Sequence, residues 1–341
     1  MIPALVLTAG LATRLRPLSL VRAKAAMPVA GDALVRRILR HLRTGEVTDA
    51  VLNLHHLPHT ITREVGDGSD IGLRVRYSWE MPVLGSAGGP RQALPLLDAP
   101  TFLVVNGDTL TDVDIASLLE AHRSTQALVT VAVIPQRWPE QYGSVLVDDA
   151  GVVHGFVARG TLAPAYPRTV APSHRRTVAP FHFIGVQAAA AAAFATVAPG
   201  AVAESFVSLY PELIRARPGS VRAFVTAASF FDIGTPADYL QTALRLADGD
   251  GTVLRGARTH IDAAARVEQS VLWDDVTVGA GASLRGCVVT DGVRVPDGAS
   301  WMGAMLRCAE GALTADERRV GDLAVAPIDN SRTPAPHGHS P

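Results

Sequence analysis

The sequence predicts an α/β protein with a doubly wound, mostly parallel sheet, followed by a short parallel β-helix. Three observations point there. Uninterrupted apolar runs alternate with amphipathic segments up to Pro135, the pattern of repeated βαβ units. Beyond it the spacing shifts to hairpins. From Thr252 onward, apolar residues recur at steps of five or six, with Gly, Asp and small residues between them.

The elements follow in order. Pro3–Thr8 is β-branched and unbroken, as a strand buried on both faces should be. Leu34, Val35, Ile38, Leu39 and Leu42 share one helical face, and Gly45 stops that helix. VTDAVLNL and LRVRYSWE read as strands, AGGPRQALPLLD as a helix, TFLVVNGD as a fourth strand. DIASLLEAHRST is a helix with Asp114 near its start, and ALVTVAVIP a fifth strand. A hairpin is expected around Asp148–Gly151, strands at FHFIGVQ and VRAFVTAASFFDIG, and helices at Ala188–Val197 and Glu204–Arg217. Between Arg159 and Pro180 the chain is dense in proline and carries RTVAP twice, which reads as an extended surface loop.

Ile261, Val267, Leu272, Val278, Leu284, Val289 and Val295 mark the β-helix. About two turns fit, too few to stand alone, so the prism must pack on the first domain or on another chain. The domains therefore divide as 1–248, a catalytic-sized α/β unit, and 252–310, the β-helix; residues 323–341 are expected to be a disordered tail.

At 341 residues the chain exceeds one ordinary core. Its 31 basic and 32 acidic residues leave a formal charge of −1, which argues against nucleic acid as a partner. Cys287 and Cys308 lack metal-ligand spacing, so zinc is not expected and the thiols read as buried. No apolar run reaches membrane-span length and no basic stretch precedes the first strand, so a cytoplasmic location is expected.

Positive charge is nevertheless concentrated in one place. The stretch after the first strand, Leu7–Asp32, carries Arg14, Arg16, Arg22 and Lys24. A loop at the carboxyl end of a parallel strand lies where open α/β sheets bind ligands. Backbone N–H groups and guanidinium ions there suit phosphate oxygens. The loop lacks both the Gly-Lys-Ser/Thr of a Walker A motif and the GxGxxG of a dinucleotide fold. The residues alone define an anion site.

LTAGLATRLRPLS resembles the signature loop of the sugar-1-phosphate nucleotidyltransferases, and KAAMPVAG is similar to that family's lysine-bearing block. LGSAGG (Leu84–Gly89), VVNGD (Val104–Asp108) and FFDIGTPADY (Phe230–Tyr239) match three further blocks in register. Within that family the LGSAGG block and the short β-helix resemble the mannose-1-phosphate guanylyltransferase type, mannose- or heptose-directed, with uridylyl and thymidylyl transfer to other sugars left open. The resemblance implies a Rossmann-like nucleotidyltransferase domain, a left-handed β-helix after it, and nucleotidyl transfer from an NTP to a sugar 1-phosphate with release of pyrophosphate. It implies Arg14 and Lys24 as catalytic cations. Ala9, Gly10, Thr13, Glu80, Gly85 and Gly88 would take the nucleotide, and Gly143 and Arg159 the sugar phosphate. Asp108 and Asp232 would hold Mg²⁺; for Asp232 a helix N-cap is the alternative. Two departures stand out: Ala12 replaces a signature glycine, and Ala158-Arg159-Gly160 replaces a Glu-Lys-Pro block.

Two other functions fit parts of the sequence. A catalytically silent regulatory subunit would share the fold but would be free to lose the carboxylates. An acyltransferase on the hexapeptide prism would need more turns and a catalytic histidine, and His260 is the one histidine nearby. Self-association through an exposed β-helix end is also expected.

Overall fold

The computed structural model describes residues 2–45, 47–161, 177–247 and 253–329. The first RTVAP copy, most of its proline-rich loop and residues 330–341 lie outside the described residues.

The first half builds the parallel part of the sheet. Strand β1 (Ile2–Leu7) pairs in parallel with β2 (Val47–Leu54) on one side, and β3 (Arg74–Trp79) follows on the outside of β2. On the other side β1 pairs in parallel with β4 (Thr101–Asn106). Helices α1 (Leu34–Thr44), α2 (Pro58–Val65), α3 (Gly85–Leu97) and α4 (Ile115–Thr125) connect these strands. Asp114 caps α4 by accepting the Ser117 N–H at 3.1 Å. Ala4 and Val6 enter one core and Leu5 the other, so helices cover both faces of the sheet.

The second half makes the sheet mixed. Strands β5 (Val129–Pro135), β6 (Ser144–Asp148) and β7 (Val153–Val157) precede a long strand β8 (Val178–Ala190). β8 runs antiparallel to β4, β5 and β6, and β9 (Val221–Val225) lies parallel to β5. The expected hairpin turns at Asp148–Gly151, where the Gly151 N–H bonds the Asp148 carbonyl at 2.8 Å.

The alanine run is a correction. The helix expected from Ala188 does not begin there; the strand continues to Ala190, and one helical turn, α5, spans Ala191–Phe194. Alanine favours helix, but Ala188 and Ala189 pair with β4 on one edge and β5 on the other, and this tertiary pairing overrides the propensity. The expected helix at Glu204–Arg217 is a wide turn over Ser205–Leu209 running into α6 (Tyr210–Ala216). Helix α7 (Pro236–Arg245) then leads to the second unit.

Three short-stranded faces form the β-helix. Its coil is 17 residues long: Val271 pairs with Val288, Val278 with Val295 and Leu284 with Trp301. One face stacks four parallel strands, from Val253–Arg255 to Ala304–Cys308, so the prism has three coils rather than the expected two. Leu272, Val278, Leu284, Val289 and Val295 point inward and are buried. The tail is a further correction. Leu323–Pro327 is a strand, buried up to Ala326, that pairs antiparallel with Ala304–Cys308, because Leu323 and Val325 enter the prism core and close the last coil. Val271, Trp273, Val288 and Met305 share one core with the α/β unit, so the prism packs on the first domain.

Candidate active site

Strand order places the charged loops together. Leu7 of β1 is level with Asn106 of β4, and the Gly107 N–H bonds the Leu7 carbonyl at 3.0 Å. The loop after β1 and the turn holding Asp108 therefore emerge side by side at the carboxyl edge of the sheet.

The loop is braced from below. Asn53, at the end of β2, accepts the Thr8 N–H at 2.5 Å and the Ala9 N–H at 3.2 Å through Oδ1, and its backbone carbonyl accepts the Thr8 hydroxyl. Asn53 Nδ2 donates to Glu80 Oε1 at 2.7 Å, and Glu80 Oε2 accepts the Leu84 N–H at 2.8 Å. Glu80 is 3% exposed, so the glutamate read as a nucleotide contact works first as a girder between β2, β3 and α3. The loop then turns through Ala12, whose φ of 47° and ψ of 45° put an alanine in the left-handed region where the signature has glycine.

Two cavities open on this edge. One, of about 570 Å³, is lined by Ala9, Gly10, Thr13, Lys24, Glu80 and Gly85 among others. The other, of about 920 Å³, is lined by Gly143, Arg159, Tyr142, His182, Asp232 and Asp238 among others. Arg14, Asn106 and Asp108 line both, so they form the junction. Arg14 is exposed there and has no hydrogen bond or ion pair among the described residues. Lys24 Nζ sits 2.9 Å from Asp108 Oδ2.

The two aspartates meet through a small ladder. Phe231–Asp232 pairs antiparallel with Thr109–Leu110, setting Asp232 opposite Thr109, and the Ile233 N–H bonds the Asp108 carbonyl at 3.3 Å. Burial, followed by the charge of Asp108, raises Asp232 to about 6. Burial also acts to raise Asp108, but Lys24, the Thr109 hydroxyl and Arg14 outweigh it and hold it below the usual carboxylate value. Tyr142 donates to Asp232 Oδ2 at 3.2 Å. Asp232 is no N-cap: Thr235 caps α7, accepting the Asp238 N–H at 3.2 Å. Two neighbouring carboxylates, one raised by the other's charge, fit a hard divalent cation that both would ligate.

Some expected contacts fall elsewhere. Arg22 turns away from both cavities, toward Asp274 and Asp291 of the β-helix. Gly88 does not line the smaller cavity; a side chain there would collide with the Ala201 carbonyl, so close packing of α3 on residues 201–204 explains this glycine. Gly85 is at the cavity, and its φ of 79° and the nearness of Glu204 also demand glycine. Gly143 lines the larger cavity, with the Val157 carbonyl 2.8 Å from where a Cβ would stand. Gly10 faces open space. Asn53, Tyr142, His182 and Asp238 were not anticipated. A polar residue inside the apolar stretch AVLNL is the available signal for Asn53.

With this geometry in place, comparison with known proteins assigns the class. Residues 3–249 match the nucleotidyl transferase family model and residues 250–304 the GlmU-like C-terminal hexapeptide model. The chain belongs to the nucleotidyl transferase family and is a nucleotidyltransferase enzyme. It is 29% identical over 308 residues to the mannose-1-phosphate guanylyltransferase of Mycobacterium tuberculosis, covering 87% of this chain and 82% of the relative. Over 123 residues it is 42% identical to the N-acetylmuramate alpha-1-phosphate uridylyltransferase of Neisseria meningitidis, covering 36% of this chain and 53% of that protein. Its fold is similar to the crystal structure of HddC from Yersinia pseudotuberculosis, with a TM-score of 0.59, 22% identity, and coverage of 72% of this chain and 99% of that one.

Proposed function

We propose that the enzyme transfers a nucleotidyl group from a nucleoside triphosphate to a sugar 1-phosphate, with guanylyl transfer to a mannose- or heptose-type sugar as the specific reaction. The observation that carries this is the junction: two cavities meet at Arg14, Asn106 and Asp108, with Lys24 beside the shared carboxylate. The relative that spans both domains supports the guanylyl assignment.

In this reading the triphosphate fills the smaller cavity and the sugar phosphate the larger. An anionic phosphate oxygen of the sugar attacks the α-phosphorus; the bond from that phosphorus to the bridging oxygen breaks, and pyrophosphate leaves with the electron pair. No proton transfer is required, so the protein's task is alignment and charge neutralisation. Arg14, free of partners in the cavity, binds the departing pyrophosphate. Lys24 neutralises the phosphates at the junction. Arg159, on the rim of the larger cavity, meets the sugar phosphate in place of the lysine of related enzymes. Asp108 and Asp232 would hold Mg²⁺, which when bound supplies positive charge to the triphosphate oxygens. Asn53, held by Glu80, takes up the Thr8 and Ala9 amides and so fixes the start of the loop, from which the residues beyond it meet the phosphates in one set conformation.

The test is pyrophosphate release with GTP, UTP, dTTP, ATP and CTP, each paired with mannose, glucose, heptose and amino-sugar 1-phosphates. GTP with a mannose- or heptose-type phosphate should be fastest. Tight sugar-nucleotide binding with no release from any pair would overturn the assignment in favour of a regulatory subunit.

A further inference from the structure

Arg22 lies two residues before Lys24, yet its side chain belongs to the β-helix. Its Nε and Nη2 bind Asp291 in a bidentate pair, each at 2.7 Å. Nη2 also reaches Asp274 Oδ2 at 2.6 Å, and Nη1 stands 3.4 Å from Glu64 Oε1 of α2. The guanidinium lies over the indole of Trp273, 5.4 Å from the ring centroid, and the side chain is 11% exposed. Both partner carboxylates are themselves fixed. Asp291 Oδ1 accepts the Asp274 N–H at 3.1 Å, and Asp274 Oδ1 accepts the Ala257 N–H at 2.7 Å.

A second line runs from the coil that carries Asp274 to the other end of the lysine segment. Trp273 is fully buried and donates its indole N–H to the Tyr239 hydroxyl at 2.8 Å; Tyr239 donates to the Pro28 carbonyl at 2.6 Å. Arg22 and Pro28 bracket the turn Lys24–Ala26, whose lysine points the opposite way, onto Asp108. Tyr239 sits on α7, just beyond Asp232. Two adjacent coils of the β-helix, through Asp274 with Trp273 and through Asp291, thus hold the lysine segment at both ends and touch the helix that follows the second aspartate.

From this we infer that Arg22 is a positioning residue: through Asp274 and Asp291 the β-helix sets the placement of Lys24 in the active site, so the second domain is a working part of the catalytic geometry. The inference rests on the role given to Lys24 in the proposed function.

The test uses the full chain with the double substitution Asp274→Asn/Asp291→Asn, and separately Arg22→Lys, which keeps the charge but cannot span both carboxylates. Two quantities are read. The first is hydrogen exchange at the Ala26 and Met27 amides, which bond to the Ala23 and Lys24 carbonyls at 2.8 and 3.1 Å, compared with amides of the parallel strands. The second is the rate of pyrophosphate release at saturating substrates. The expected result is about tenfold less protection at Ala26 and Met27 with strand amides unchanged, and a kcat about tenfold lower with KM for the triphosphate within about threefold. Arg22→Lys should fall between wild type and the double variant. Adding Arg22→Gln to the double variant should cost no more than Arg22→Gln alone. Unchanged protection and rate, or loss of protection spread evenly over the protein as for a merely structural contact, would overturn the inference. If the wild-type enzyme releases no pyrophosphate with any substrate pair, the functional reading fails instead, and exchange at Ala26 and Met27 decides the clamp alone.

Discussion

Asp232 faces Thr109 across a two-residue ladder, and the charge on neighbouring Asp108 adds to burial in raising the Asp232 carboxyl to about 6. Two carboxylates from segments more than a hundred residues apart in sequence are thereby held close enough to repel. A pair left in this state is stabilised by any cation that both can ligate. Asp108→Asn and Asp232→Asn should each lower kcat by about a thousandfold or more while the fold persists, and a chelator should abolish pyrophosphate release until Mg²⁺ is restored. Steady-state rates before and after metal readdition check this; activity that survives exhaustive chelation would contradict it.

The cations should separate by kinetic signature. Arg14 has no partner to leave stranded, so Arg14→Ala should leave stability within about 0.5 kcal/mol and reduce kcat by about a hundred- to a thousandfold. Lys24→Ala removes the counter-charge of Asp108 as well, so it should cost stability in addition to rate. Melting temperature and initial rates measured on both variants distinguish them.

Removing the loop brace should cost more than any one of its hydrogen bonds suggests. Asn53→Ala leaves the Thr8 N–H, the Ala9 N–H and Glu80 Oε1 without their partner in a buried site. A loss of about 2–3 kcal/mol in unfolding free energy is expected, with a raised KM for the triphosphate. Chemical denaturation and triphosphate titrations give the two numbers.

His182 predicts a pH dependence of stability. It is 4% exposed, packed among Trp138, Tyr142 and Phe230, and among the described residues neither ring nitrogen has a hydrogen-bond partner. Burial lowers it to about 4, with the neighbouring Gly143 backbone acting weakly the other way. A histidine whose folded value lies below the unfolded value of about 6.5 contributes its full stability above 6.5 and loses it as pH falls toward 4. The loss approaches about 3 kcal/mol. Asp232, raised in the fold, works in the opposite direction over part of this window. The clean readout is therefore the difference between wild type and His182→Gln: unfolding free energies should converge by that amount from pH 6.5 to pH 4.

Ala12 carries a left-handed backbone that costs an alanine about 1–2 kcal/mol. Glycine would relieve it while giving back about 0.5–1 kcal/mol of unfolded-state entropy. Ala12→Gly should be neutral or stabilising by up to about 1 kcal/mol, and a melting temperature several degrees lower would refute this account.

What the sequence made legible follows from how local the determining forces are. Strands β1, β2 and β4 were readable because a strand covered on both faces must be apolar throughout, and runs such as PALVL meet that demand. The β-helix was readable because its inward residues recur at steps of five or six, one for each face of the 17-residue coil. Arg14, Lys24, Asp108 and Asp232 could be picked out through the motif blocks that contain them. The rest depended on partners distant in sequence. Ala188–Ala190 looks helical until two flanking strands claim it. Arg22 looks like one more phosphate-facing cation until two aspartates some 250 residues later turn it around. Glu80 looks exposed at a strand end until Asn53 and Leu84 enclose it.

The strand Leu323–Pro327 has a consequence for how the molecule meets its own kind. A stack of parallel rungs ends by nature in a row of unsatisfied amides and carbonyls, an invitation to indefinite growth. Here that row is taken up by a strand of reversed direction, and among the described residues the margin beyond it is Arg318–Val320, three exposed residues of which two are arginines. A brief, like-charged border repels its own copy. On this face a further rung from another molecule meets a short, charged edge in place of the open end of the stack.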